Sequence, residues 1–391
     1  MEQIDRQAVE LSVVMPCLNE ADTLAICIRK AQAAFADSGT TGEVIVADNG
    51  SHDGCPEIAR ELGARIIDVA ERGYGHALMA GIETARGRFV IMGDADDSYD
   101  YSEIPKFLAA LRDGAELVQG CRLPSGGGQV LSGAMPFLHR WFGNPLLSRL
   151  ARRMFNVPVK DAYCGMRGFT RDLYDRLDLR CTGMEFATEM IIKSSLVGAS
   201  IAEVPITLHP DGRTQHGPHL RTFRDGWRTL RLFLLYSPRW LFLLPGSTLM
   251  TLGLIGYALA LPGVQVLGAR LGAHTLLVAS LCILMGFQSI LLALMSKVYA
   301  VGAGLLPRDE RVERFFRWAT LERGLLLGLT SLAVGAFLIL WAAWDWREAG
   351  FGDLDYAITM RRIVPGVTLA ALGFQTILSS FFVSLLGLDR R

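Results

Sequence analysis

Between residues 10 and 212, short apolar runs alternate with amphipathic stretches. Residues 11–15 read as a buried strand and 20–35 as the helix after it. The next strand is predicted over 44–47, followed by a helix through 55–62. Two more strands are predicted over 64–69 and 89–92, the second ending at an acidic cluster, and another over 116–119 after a helix that Pro105 opens. This rhythm predicts an α/β domain. Strands so short and continuously apolar suit a mostly parallel sheet covered on both faces. A Gly-rich interruption at 125–128 breaks the pattern, and residues 123–135 read as a mobile surface loop, a plain linker in preference to an active-site lid.

Two interleaved stripes mark residues 219–236. Arg221, Arg224, Arg228 and Arg231 recur at spacings of three and four, and Leu220, Phe223, Trp227, Leu230 and Leu234 do the same on another face. That is an amphipathic helix with a cationic side. Just before a long apolar segment, it suits the plane of a membrane surface, with arginines toward anionic headgroups. The competing reading packs it on its own domain with a solvated basic face. Four apolar segments follow, near 240–261, 273–295, 325–344 and 364–388, each close to the ~20 residues of a spanning helix. They carry almost no charge, which disfavours helices of a large soluble core.

Charge sets the expected topology. Lys297, Arg308, Arg311, Arg314 and Arg317 follow the second segment, whereas the loop after the first has only Arg270. The loop after the third mixes both signs, and Arg390 and Arg391 close the chain. The α/β domain and both termini are therefore expected to be cytoplasmic. Within the segments, Gln288 and Gln375 are expected to bond between helices. Lys+Arg and Asp+Glu each total 39, so no global positive field exists for nucleic acid. The seven cysteines are scattered and never spaced as CxxC, which predicts free buried thiols. The N-terminus has no basic start before an apolar core, so no cleavable signal peptide is expected.

Four polar clusters fall at strand ends, where open parallel sheets bind ligands. In Pro16-Cys17-Leu18-Asn19-Glu20 a strand runs into a rigid turn, where backbone groups and Glu20 can read a base. Asn-Glu is equally an ordinary helix start. In Asp48-Asn49-Gly50-Ser51-His52-Asp53-Gly54, Asp48 can grip a ribose hydroxyl or a base edge while Asp53 caps the next helix. Gly93-Asp94-Ala95-Asp96-Asp97-Ser98-Tyr99-Asp100 places four carboxylates within seven residues. They repel one another unless a cation or hydrogen bonds offset them. Mg2+ typically takes one or two carboxylates plus substrate phosphates. Asp94 and Asp96 therefore read as a Mg2+ or Mn2+ clamp for a nucleotide pyrophosphate, and Asp97 and Asp100 as caps. The fourth cluster, from Asp161 to Arg167 with Glu185, Glu189 and Glu203 beyond, is unremarkable by itself. Gly73-Tyr74-Gly75-His76 is either a turn approaching a donor or a plain turn.

In this order the clusters resemble a family-2 glycosyltransferase with the GT-A nucleotide-sugar fold. The match runs through PCLNE at Pro16–Glu20, the turn after Asp48, DAD at Asp94–Asp96, GCR at Gly120–Arg122, Asp161 with Gly165 and Arg167, and EVPI at Glu203–Ile206. Within that family the chain is similar to the polyprenyl-phosphate (dolichol-phosphate type) sugar transferases, by motif over 10–215 and by layout beyond. The resemblance implies a GT-A catalytic domain over 1–215, a juxtamembrane helix over 216–238 and a four-helix transmembrane domain over 239–391. It implies donor contacts at Pro16, Leu18, Glu20, Asp48, Ala95 and Arg122, metal and ribose contacts at Asp94 and Asp96, and Asp161 near the acceptor phosphate. Asp96 and Asp161 are the expected catalytic pair. Two departures stand out. The family often has Gln where this chain has Ser98, so a third metal ligand is unassigned. Its phosphate-binding Arg is matched by Arg213, but the lysine that follows is missing, and Arg221 or His219 is expected to replace it.

The implied reaction is inverting transfer of a hexose from GDP-mannose or a UDP-hexose to a polyprenyl phosphate, at the cytoplasmic face of a bacterial inner membrane. Membrane lipids are implied partners, nucleic acid is not, and a homo-oligomer is left open. An acceptor phosphate is already anionic, so Asp161 is expected to position groups rather than take a proton. Alternatives are transfer to a lipid or glycan hydroxyl with Glu189 or Asp161 as base, and a lipid transporter carrying a vestigial domain. A processive synthase is disfavoured because QxxRW is absent, and a Rossmann dehydrogenase because no GxGxxG fits.

Overall fold

The computed structural model describes residues 9–214, 222–266, 268–307, 310, 314 and 320–386. The chain divides into two compact units, Met1–Phe233 and Leu234–Arg391.

Among the described residues of the first unit, the strands are β1 (Leu11–Cys17), β2 (Gly42–Asp48), β3 (Arg65–Asp68), β4 (Phe89–Met92), β5 (Leu117–Cys121), β6 (Gln129–Val130), β7 (Arg167–Thr170), β8 (Ile201–Pro205) and β9 (Thr207–Leu208). Seven of them form one sheet in the order β3-β2-β1-β4-β7-β5-β8. Its pairs are parallel except at β7, which runs antiparallel to β4 and β5. Adjacent residues on one strand, such as Val13 with Val14 and Val90 with Ile91, are fully buried. Both faces of the sheet are therefore covered, which is why its strands are continuously apolar. Helices α1 (Ala21–Asp37), α2 (Cys55–Glu61) and α4 (Ile104–Arg112) lie where the pattern puts helices, whereas α3 (Tyr74–Thr84) occupies a stretch read only as a turn at Gly73–His76. In α1, Leu24, Ile28, Ala31 and Phe35 recur at helical spacing and supply the buried face.

Residues 123–135 correct the expectation of a free loop. The amides of Gln129 and Leu131 donate to the carbonyls of Ile206 and Leu208, each at 3.0 Å, and Val130 is buried. Two residues of strand are too short to show a period, so the pairing left no mark in the pattern. Helices α5 (Asn144–Phe155), α6 (Arg171–Leu177), α7 (Phe186–Leu196) and α8 (Thr222–Leu235) complete the unit. On α8, Thr229, Leu232 and Phe233 are buried, while Phe223 and Trp227 are exposed.

The second unit holds α9 (Leu244–Ala260), α10 (Ala273–Gly302), α11 (Leu321–Glu348) and α12 (Tyr356–Leu386). With the π-turn Arg239–Leu243 that leads into α9, four helices are long and apolar enough to cross a membrane. The first matches its predicted segment, and the other three extend beyond theirs because the helices continue through polar ends, as α10 does past Ser296 and Lys297. Glycines let them pack closely in pairs. A Cβ at Gly286 would lie 2.6 Å from the Met250 amide nitrogen, and one at Gly373 only 2.5 Å from that of Leu332. Such contacts replace the hydrophobic drive that lipid cannot provide. Polar bonds between helices include those of Tyr257, whose hydroxyl lies 2.7 Å from Ser280 Oγ and 2.9 Å from Thr368 Oγ1, and that of Ser331, whose hydroxyl donates to the Leu369 carbonyl at 2.8 Å. The expectation for Gln375 is corrected, since its buried Oε1 has no hydrogen-bond partner among the described residues. All seven cysteines are free thiols. Arg308, Arg311, Arg317, Arg390 and Arg391 lie outside the described residues.

Candidate active site

Strands β1, β2 and β4 are parallel, so the loops at their C-terminal ends gather together. The first two loops lock onto each other. Asn19, in a left-handed conformation (φ 58°), donates its amide to Ser51 Oγ at 2.9 Å and accepts from the His52 amide at 2.9 Å. Asp53 takes the amides of Ala21 and Cys55, so one carboxylate serves the first turns of α1 and α2. Asp48 is buried and accepts from the amides of Gly50 (3.2 Å) and Ser51 (3.1 Å), shaping its own turn. Pro16 and Leu18 are half-buried beside it.

The loop after β4 carries the densest charge. Asp96 Oδ1 accepts from the Ser98 amide (3.1 Å) and hydroxyl (2.6 Å), which aims Oδ2 at Arg213 Nη2, 3.0 Å away. Ser98 thus orients the carboxylate. The same guanidinium grips Glu20, with Nε 3.0 and 2.9 Å from its two oxygens and Nη2 2.7 Å from Oε1. Ala95 is fixed by Thr23, whose hydroxyl donates to its carbonyl at 2.7 Å. Asp94 accepts from the Tyr74 hydroxyl at 3.0 Å. Burial first, and the charge of Asp96 second, push the Asp94 carboxyl up to about 7. Asp97 is committed elsewhere, to Lys30 at 2.8 Å, and Asp100 caps the following turn through the Ser102 amide.

Among the described residues, no three His, Cys, Asp or Glu side chains gather into a metal cage. The pair Asp94 and Asp96 still fits a divalent cation. Two neighbouring carboxylates that disfavour each other's charge are the donor set that Mg2+ or Mn2+ completes with phosphate oxygens.

The fourth cluster meets this loop from the other side. A Cβ on Gly165 would stand 3.0 Å from Tyr99 Oη and 3.2 Å from Asp94 Oδ2, so only glycine allows the approach without displacing either. Asp161 has no solvent exposure. It accepts from Arg122 Nε (2.7 Å), Nη2 (2.9 Å) and the Arg122 amide (3.0 Å). Burial works against the charge of Arg122, but Asp161 outweighs it and holds the guanidinium well above its ordinary range. Arg167 is wholly buried and donates to the Cys164 carbonyl at 2.8 Å and to that of Ala187. Glu189 is buried against Lys193 (3.0 Å) and takes the amides of Arg180 and Cys181. Neither Asp161 nor Glu189 has an oxygen turned toward solvent for proton abstraction.

Glu20, Ala95, Asp96 and Arg213 come together, as do Arg122 and Asp161, with Asp94 and Gly165 between the two groups. Arg221 and His219 lie outside the described residues. Sequence reasoning missed Tyr74 and Thr23. The signal for Tyr74 was its flanking glycines. Gly73 has φ 153°, and a Cβ there would lie 2.6 Å from the Thr182 carbonyl oxygen.

The description Glycosyl transferase family 2 matches residues 12–178, and the description Glycosyltransferase family 2 C-terminal transmembrane region matches 294–387. A Haloferax volcanii protein, low-salt glycan biosynthesis hexosyltransferase Agl6, is 40% identical over 389 residues, covering 97% of this chain and 90% of the relative. The chain belongs to glycosyltransferase family 2. This family-2 chain is also 35% identical over 199 residues to a dolichyl-phosphate hexose transferase of the same organism, covering 50% of this chain and 82% of that one. Among solved structures it is similar to glucosyl-3-phosphoglycerate synthase from Mycobacterium tuberculosis, at 22% identity and a TM-score of 0.45 over 59% of this chain and 79% of that one. The sheet lies in the family-2 glycosyltransferase domain, and a C-terminal transmembrane region follows it in the chain.

Proposed function

We propose that this enzyme transfers a hexose from a nucleotide diphosphate sugar to a polyprenyl phosphate, inverting the anomeric carbon, at the cytoplasmic face of its membrane. The observation that carries this reading is a charge imbalance. Glu20 and Asp96 converge from two loops on one guanidinium, that of Arg213, while the neighbouring buried carboxylate of Asp94 is held by the Tyr74 hydroxyl. A site built this way has room for the cation and the phosphates that a nucleotide diphosphate brings. The name of the dolichyl-phosphate hexose transferase relative supports the acceptor class.

In this reading Pro16, Leu18 and Asp48 form the base and ribose end of the donor site. Asp94 and Asp96 hold Mg2+ or Mn2+, which supplies Lewis-acid stabilisation of the charge on the leaving pyrophosphate. Tyr74 and Ser98 orient these two carboxylates, and Thr23 fixes the Ala95 backbone between them. Arg213 turns its fork to the donor phosphates, a bidentate grip that lysine cannot reproduce. Asp161 orients Arg122 toward the acceptor phosphate. That phosphate is anionic at neutral pH and attacks without a general base. The engaged, buried states of Asp161 and Glu189 agree with this and disfavour a hydroxyl acceptor. Arg224, Arg228 and Arg231 on α8, with Arg221 just before it in sequence, would hold lipid phosphates. Cationic loop residues favour a cytoplasmic domain and cytoplasmic termini.

The test mixes membranes bearing the protein with a polyprenyl phosphate, Mg2+ or Mn2+, and radiolabelled GDP-mannose or UDP-glucose in separate tubes. Label should pass into the organic phase, and both chelation and Asp96→Asn should abolish it. Transfer that survives either treatment overturns the metal assignment. Transfer only to a hydroxyl lipid overturns the acceptor.

A further inference from the structure

Among the described residues up to 214, large apolar side chains are well hidden except in one stretch. Of the seven such residues exposed among the described residues up to 214, five lie between 137 and 146: Phe137 (71%), Leu138, Trp141 (59%), Phe142 (60%) and Leu146. They run from the two residues before the π-turn His139–Gly143, through that turn, to the first turn of α5. Phe137 packs loosely on Trp141 and Phe142, with ring centroids 6.5 and 6.4 Å apart, so the three rings form one patch. Exposed contiguous patches of this kind mark interaction sites.

We propose that residues 137–146 are a lipid-docking element that seats the catalytic domain on the bilayer surface. Three observations select lipid over another protein. The patch is ringed with cations: Arg140 stacks over Trp141 at 5.5 Å, and Arg149 and Arg152 are exposed farther along the helix. Aromatic rings with flanking arginines are the composition of the headgroup boundary. Secondly, α5 ends on α8, where Phe155 meets Phe233 edge-on at 5.6 Å. Helix α8 ends at Leu235, only four residues in sequence before the first apolar span begins at Arg239. Thirdly, α8 exposes Phe223 (85%) and Trp227 beside its own arginines, the same composition on the adjoining helix.

The inner side of the turn adjoins the site. Burial, then the charge of Arg122, holds His139 below its ordinary value. The element acts on the surface whatever the acceptor proves to be.

A photocrosslinking residue is placed at Phe142 in the full-length protein reconstituted into vesicles of phosphatidylcholine and phosphatidylglycerol. The same residue at Ile26, exposed on α1, is the control on this domain, and at Leu340 in α11 the control in a span. Lipid adducts at Phe142 should exceed those at Ile26 by about tenfold, the preference that burying one aromatic side chain supplies. Brominated lipid should also quench a fluorescence component that Trp141→Phe removes. Adducts at Leu340 with none above the Ile26 level at Phe142 overturn the proposal. So does a protein–protein adduct at Phe142, which would make the patch a contact between copies.

Discussion

At the end of β5, Asp161 meets Arg122 one to one; where the loops after β1 and β4 meet, Glu20 and Asp96 share Arg213 with Asp94 beside them. The first pair is closed. Asp161 is fully buried, both its oxygens are taken, and Arg122 is nearly as hidden. The second cluster is unbalanced, and Asp94 shows it, with a carboxyl pushed up to about 7 by burial and by Asp96. A balanced buried pair fixes geometry and resists removal of either partner. An unbalanced one stores repulsion that a ligand relieves, which is how perturbed groups mark functional sites. One domain thus uses the same side-chain types for architecture at one strand end and for chemistry at the next.

Removing a charge from each cluster should separate the two roles. Asp96→Asn should lower turnover on the order of a thousandfold, the scale for losing a main electrostatic element of a transition state. Thermal stability should hold or rise, because a repulsion is removed. Steady-state rates and unfolding of the same preparation check this; parallel loss of both would place Asp96 with the architecture. Asp161→Asn should do the reverse, costing about 3–5 kcal/mol by stranding the Arg122 charge. Denaturant unfolding measures it. Joint replacement Asp161→Leu with Arg122→Met should recover most of that stability without recovering turnover. A stable but inactive Asp161→Asn would instead show that this carboxylate faces substrate.

How far each cluster was legible follows from the range of its contacts. Asp48, Asp94 and Asp96 were readable because each ends an apolar strand and sits in a polar turn, a purely local signal. Ser98 stood out only as a departure, and its hold on Asp96 Oδ1 needed coordinates. Arg213 reaches Glu20 across 193 residues, and no local pattern encodes that pairing. Strand β7 was missed because it opens with Arg167 and Gly168, a charge and a weak strand former, and takes its burial from β4 and β5 on either side. The aromatic turn at 137–142 has neither a helical nor a strand period, so the pattern assigned it no element. The spans were plain from length and apolarity, whereas their glycine contacts and the Tyr257 network became visible only in three dimensions.

Arg213→Lys tests the open cluster more gently. The charge stays, but the fork that reaches Glu20 and Asp96 together is lost. The KM for the nucleotide sugar should rise about tenfold, the scale of one charge-assisted hydrogen bond. The fall in kcat should be smaller, and separate determination of the two constants decides it. An unchanged KM would leave Arg213 as counter-ion to Glu20 only.

The smallest effect comes from a third carboxylate–guanidinium pair, which isolates burial as the variable. Glu10 and Arg112 are matched one to one like Asp161 and Arg122, with contacts of 2.8 and 2.6 Å, but their side chains remain 30% and 43% exposed. The hydrogen bonds from Arg112 outweigh the opposing burial and, with Thr40, lower the Glu10 carboxyl from its ordinary 4.5 to about 2. A depressed folded-state value means that the ionised form is favoured by folding, so the stabilisation is present above pH 4.5 and is lost as pH falls toward 2. Solvent screening limits it to about 1 kcal/mol or less. Glu10→Gln should therefore unfold slightly more easily than wild type at pH 7 and converge with it near pH 2, in paired denaturant titrations. A cost at pH 7 as large as that of Asp161→Asn would mean that pairing alone, and not desolvation, gives the closed cluster its structural weight.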